Sequence, residues 1–269
     1  MVRWLFLFLF LPGFAFAASP AELDRLRAAF GTSELMTILS EEGMEQAETL
    51  RDDMFPGRGG AGWTRVVTAI YAPDRLEAVF ARHFDAEMAE TDATLLLDFY
   101  ASENGARVAS LEVSARRAIM AEDVEDTARA AWDEMREEGT WRSKQLIEFV
   151  ELNGLIDRNV TGALNSSLAF YNGLTANEAF EMSEQEILSE VWSRATEIRK
   201  DTEGWVFGYM ALAYESMSDE DFQHYVNIGT TPEGRALNRA MFAGFEAVFE
   251  DVSFALGQAT ARFSVGDEL

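Results

Sequence analysis

The sequence predicts an all-α protein, on three observations. Apolar residues recur at three- and four-residue steps along most of the chain, as one buried helix face requires. No convincing run alternates with the period of two that a half-buried strand needs. Helix-start signals, a hydroxyl residue three places ahead of an acid or a proline in the first turn, stand where the apolar stripes begin.

Taken in order, the N-terminus reads as an export signal. Arg3 precedes the apolar run Trp4 to Leu11, Pro12-Gly13 breaks it, and Ala15-Phe16-Ala17 offers small residues for cleavage before Ala18. The run is too short for a permanent membrane anchor. Periplasmic location is therefore the expectation, with no stable transmembrane segment after cleavage. Ser19-Pro20 starts a first helix that ends near Gly31. Ser33 is expected to cap the next, with Leu35, Ile38 and Leu39 on one face and Gly43 as an interruption. Trp63, Val67 and Ile70 form a further stripe, and Pro73 opens a helix carrying Leu76, Phe80 and Phe84. Ser183-x-x-Glu186 is a capping box ahead of Ile187 and Val191, and Thr175-x-x-Glu178 a weaker one. From Leu237 to Phe263 one long amphipathic helix closes the chain.

The glycines Gly57-x-Gly59-x-x-Gly62 match a dinucleotide-loop pattern. That loop needs a strand before it and a βαβ unit around it. Here helix precedes it and Pro56 stops that helix, so the glycines read as a helix–helix connection and no cofactor is expected.

Self-similarity organises the rest. Met88 to Arg107 aligns without a gap on Met217 to Ala236, pairing Ser102 with Thr231 and Gly105 with Gly234. Upstream, the segment around Gly43 resembles that around Gly154. The expected architecture is two related multi-helix units packed as one helical body. A signal peptide covers 1–17, an N-terminal helix 18–32, the first unit 33–145 and the second 146–269. The repeated element reads as a helical hairpin. Ser218-x-x-Asp221 starts its first helix in the second copy, whereas Ala89 weakens the same start in the first. Ser102 or Thr231 caps the second helix, Pro232 takes its first position, and Gly105 or Gly234 lets the two helices approach.

These residues resemble a bacterial family, the domain of unknown function 2059. The resemblance rests on Phe99-Tyr100-Ala101-Ser102-Glu103-Asn104-Gly105, with Glu103 where the family commonly has proline, and on Thr231-Pro232-Glu233-Gly234, which keeps the proline and loses the aromatic pair. It is clearest over about residues 75–120. It implies an exported helical fold and transfers no catalytic residue.

Composition narrows the function classes. The chain has 269 residues and 48% hydrophobic composition, ample for a core. Its 47 acids against 22 bases give a net charge of −25, which excludes nucleic acid as an expected partner. With no cysteine there is neither a disulfide nor a thiolate site. His83 and His224 lie in no zinc motif, and the acidic run from Glu122 to Glu138 lacks a calcium-loop pattern, so no metal is expected. No catalytic residue is assigned. The segment Gly204 to Tyr214 offers Trp205, Phe207 and Tyr209 as walls of an apolar groove. The sequence thus points to a binding or interaction module of the cell envelope, its partner an envelope protein. The alternatives are a carrier of a small apolar ligand or lipid and a hydrolase with paired carboxylates.

Overall fold

The computed structural model describes residues 17–176 and 180–266. The predicted signal run at Trp4 to Leu11 and Glu178 of the predicted second capping box lie outside them. Thirteen helices and no strand are present among the described residues. They are α1 (Pro20–Ala29), α2 (Thr32–Met54), α3 (Gly60–Ile70), α4 (Pro73–Met88), α5 (Thr94–Ala101), α6 (Glu103–Ala118) and α7 (Glu122–Glu138). The chain continues through α8 (Trp141–Asn153), α9 (Leu155–Thr175), α10 (Glu184–Ser193), α11 (Ala195–Tyr214), α12 (Asp219–Gly229) and α13 (Pro232–Ser264). None is long and apolar enough to cross a membrane.

Local chemistry sets most boundaries. Ser19 and Glu22 form a reciprocal capping box on α1, and Ser183 and Glu186 form another on α10. Ser102, Thr140, Ser218 and Thr231 each accept a backbone N–H at a helix start. Three expectations fail. Ser33 caps nothing: α2 begins one residue earlier, after Gly31 in a left-handed conformation (φ 66°), and the Ser33 hydroxyl donates to Glu77. Gly43 does not interrupt α2; it lies mid-helix because the Tyr71 ring fills the space a Cβ would take. Thr175, offered as a helix start, is the last residue of α9, where its hydroxyl donates back to the Tyr171 carbonyl at 3.0 Å.

The glycine loop does connect two helices, α2 and α3. Gly57 and Gly59 take positive φ, 74° and 86°, which side-chain-bearing residues avoid. The loop's end packs into an aromatic cluster of Phe55, Trp63 and Phe263, which ties it to the C-terminal turn of α13.

One hydrophobic core joins the helices. α13 is its axis. It packs on α9 along one side and on α4 along another. Gly173 and Gly257 make the first contact possible, since a Cβ on either would strike a carbonyl of the opposite helix. Gly244 makes room for the Phe80 ring in the second. α11 forms a second line of packing against α7, α9 and α6. The expected boundary between units, at residues 145 and 146, falls inside α8, and α13 spans helices from both sides of it.

The two aligned hairpins, α5–α6 and α12–α13, share one turn geometry. Ser102 Oγ accepts from Gly105 N at 3.2 Å and Thr231 Oγ1 from Gly234 N at 3.0 Å. A Cβ on Gly105 would collide with the Phe99 carbonyl, and one on Gly234 with the Ile228 carbonyl. Elsewhere the alignment loses this congruence. Gly43 is helical, whereas Gly154 is left-handed (φ 61°) and separates α8 from α9. α5 also starts late, at Thr94 rather than near Met88, with Asp92 accepting from Thr94 N, because Ala89 offers no cap.

Candidate functional site

The residues with chemical potential converge where α6, α7, α8, α11 and α12 meet. The expected wall residues lie on α11 but do not share a face. Trp205 and Tyr209, one turn apart, stack on each other at 5.3 Å and face α6. Phe207 points away and stacks flat on Trp132 of α7 at 4.3 Å. Their rings are half-buried and engaged in packing, and none of the three lines the cleft described below.

α6 carries an unexpected group on its inner side. Glu112 stands four residues after buried Val108 and three before buried Ala115, in the helix's apolar stripe. Its Oε1 accepts hydrogen bonds from Tyr214 Oη at 2.6 Å and Tyr225 Oη at 2.8 Å. Its backbone carbonyl accepts from Tyr209 Oη at 3.1 Å. The side chain is half-buried, and both phenols meet the same oxygen, Oε1. Loss of water raises the Glu112 pKa above its ordinary 4.5, and the two phenol donors offset part of that rise. Burial likewise pushes the Tyr209, Tyr214 and Tyr225 phenols well above their usual range, so they remain donors at neutral pH. One turn on, Arg116 pairs with Glu42 and lies over the Trp205 ring at 5.7 Å. The cation nearest Glu112 along α6 is therefore already engaged.

Beside this cluster an open cleft of about 450 Å³ lies between the C-terminal ends of α7 and α11 and the starts of α8 and α12. Met135, Leu146, Met210, Tyr214 and Met217 give it an apolar floor, and Glu134, Glu138, Glu215 and Asp219 stand exposed on its rim. Arg142 forms one wall. Nη1 donates to the Tyr214 carbonyl at 2.9 Å, and Nη2 donates to the Met217 carbonyl at 3.0 Å and to Asp219 at 2.6 Å. The Tyr214 carbonyl ends α11, and the Met217 carbonyl lies in the turn that follows, so neither accepts an α-helical N–H of α11. The guanidinium also lies over the Phe222 ring at 4.5 Å. Arg142 thus fixes the turn from α11 to α12 and preforms the cleft. Tyr214 joins both features, with its carbonyl on Arg142 and its hydroxyl on Glu112.

The remaining candidates are placed as follows. His83 and His224 are surface residues of α4 and α12, and His224 Nδ1 lies 3.3 Å from Asn104 Nδ2. The acids of α7 sit mostly on a solvated face, Glu125 with Arg129 and Asp133 with Arg136. Among the described residues no group of three or more His, Asp or Glu side chains is arranged to hold a metal. Phe99 and Tyr100 are buried, Tyr100 edge-on to Phe30 and Phe99 stacked with Tyr225, so they serve the core beneath the α5–α6 turn. Sequence reading missed Glu112 and Arg142. Glu112 was detectable as an acid interrupting an apolar stripe; Arg142, whose partners come from α11 and α12, left no local signal.

No family model, curated protein or solved structure matches this chain.

Proposed function

We propose that this chain is a non-enzymatic binding module, exported to the periplasm and working in the cell envelope. The observation that carries the reading is the cleft between α7, α8, α11 and α12. It is of ligand size, apolar at its floor and held open by a hydrogen-bonded arginine. The N-terminal signal pattern supports export, and the Ser102–Gly105 and Thr231–Gly234 turns support a relationship to the domain of unknown function 2059, with an ancient duplication behind both hairpins. Glu112 Oε1 is occupied by two phenols, which supports a structural place for this acid in the packing of α6, α11 and α12. Trp205, Phe207 and Tyr209 pack against neighbouring rings, which moves the carrier reading from their segment to this cleft.

The test is the native mass of the mature protein, residues 18–269, purified gently from its own compartment. An excess mass of small-molecule size that disappears on denaturation is expected. Turnover of an envelope substrate that a single carboxylate substitution abolishes, with the fold intact, would overturn the reading.

A further inference from the structure

The cleft's chemistry selects its occupant, an inference that rests on the binding role proposed above. Four carboxylates, Glu134, Glu138, Glu215 and Asp219, line the cleft against one cation, Arg142. That cation is engaged through both Nη atoms by Asp219 and two backbone carbonyls, while its buried Nε has no partner among the described residues. The side chains of Glu134, Glu138 and Glu215 form no ion pair or hydrogen bond among the described residues. Three unpaired acids therefore surround an apolar floor, on a chain whose net charge is −25. Such a field concentrates cations and repels anions before contact. The floor adds shape tolerance, because Met135, Met210 and Met217 carry flexible, polarisable thioethers that adapt to apolar surfaces. A cavity of about 450 Å³ has the volume of a small-molecule site, well short of the long groove that a helix or extended peptide occupies.

We propose that the cleft binds a small organic cation with an apolar body. The ammonium group sits at the rim against Glu134, Glu138 and Glu215, and the hydrocarbon part lies on the methionine floor. Each rim acid is solvent-exposed, so each contributes modestly and the three act together. The ligand class excludes carboxylates, phosphates and other anions, which the rim repels. It disfavours neutral apolar compounds, which gain the floor and forgo the rim.

Calorimetric titration of the mature protein with three probes of one skeleton, phenethylammonium, 2-phenylethanol and 3-phenylpropanoate, tests this. The cation is expected to bind, the alcohol about tenfold more weakly, and the carboxylate not at all. The triple variant Glu134→Gln, Glu138→Gln, Glu215→Gln is expected to lose about tenfold in affinity for the cation and none for the alcohol. All three positions are exposed, and circular dichroism checks the fold. Ala131→Trp, an exposed change at the cleft mouth, is expected to abolish binding of any probe. Equal affinities for cation and alcohol, unchanged in the triple variant but lost in Ala131→Trp, would overturn the charge inference and leave the binding cleft standing. Binding insensitive to Ala131→Trp, or no binding of any probe at millimolar concentration, would overturn the cleft as well. Tight binding of a lysine-rich amphipathic peptide with no binding of phenethylammonium would overturn the small-cation proposal in favour of a peptide.

Discussion

At the scale of single residues, Glu112 sets the clearest stability predictions. Its carboxylate satisfies two buried phenols, so Glu112→Ala leaves both hydroxyls without that acceptor and is expected to cost about 2–4 kcal/mol. Glu112→Gln keeps an acceptor oxygen and is expected to stay within about 1 kcal/mol of the parent at neutral pH. The two variants also separate in their pH dependence. The folded state raises the Glu112 pKa, so it holds the proton more tightly than the unfolded chain does. The resulting stabilisation is complete below the ordinary value of 4.5 and is lost as pH rises through the folded-state value. Relative to the parent, Glu112→Gln should therefore gain stability as the buffer moves from about pH 4 to about pH 7, measured by urea unfolding at each pH. A constant difference between the two proteins would show that Glu112 titrates as it does in the unfolded chain. Arg142→Lys offers a separate residue-scale check. Lysine cannot hold the planar fork that spans Tyr214, Met217 and Asp219, and a loss of about 1–3 kcal/mol is expected, with weaker binding in the cleft.

At the scale of elements, the repeated turn explains itself through its glycines. Alanine is the better helix former by about 1 kcal/mol, so on propensity alone Gly105→Ala and Gly234→Ala would stabilise α6 and α13. The carbonyls of Phe99 and Ile228 occupy the space an added methyl needs, and backbone yields less readily than a side-chain tip. Both substitutions are expected to destabilise by about 1–3 kcal/mol in thermal unfolding. A stabilised variant would show that the hairpins relax freely. Helix identities and most starts were legible because capping is local: Ser19, Ser102, Ser183, Ser218 and Thr231 each sit within three residues of the N–H they bind. Gly43 was misread because the ring that explains it, Tyr71, arrives from a different helix. The same reason hid the cleft. Its floor joins α7, α8 and α11, and no local periodicity records which helices meet. Trp205, Phe207 and Tyr209 were correctly placed on a helix, but spacing of two residues puts Phe207 on the far side from its neighbours.

At the scale of the whole molecule, α13 decides the cooperativity. It packs on α4 and α9, and its last turn meets the glycine loop through Phe263. The chain should unfold as one unit, because neither half retains its core without that helix. Residues 18–145 expressed alone are expected to be largely unfolded by circular dichroism, and residues 146–269 likewise. A stable, cooperatively melting half would show that the proposed units are autonomous. The acid rim and the net charge of −25 act at this scale too, through attraction of cations that weakens as salt rises.

If the cleft between α7, α8, α11 and α12 is where this protein meets its ligand, its methionines report the binding. Methyl NMR of methionine-labelled mature protein, titrated with phenethylammonium, tests it most directly. Met135, Met210 and Met217 line the cleft, while Met36 and Met88 are fully buried in the core packing of α2 and α4. Saturable shifts at the three cleft methyls, silence at Met36 and Met88, and loss of the shifts in Ala131→Trp are expected. Shifts spread over all methionines, or a silent cleft at saturating probe, would contradict it.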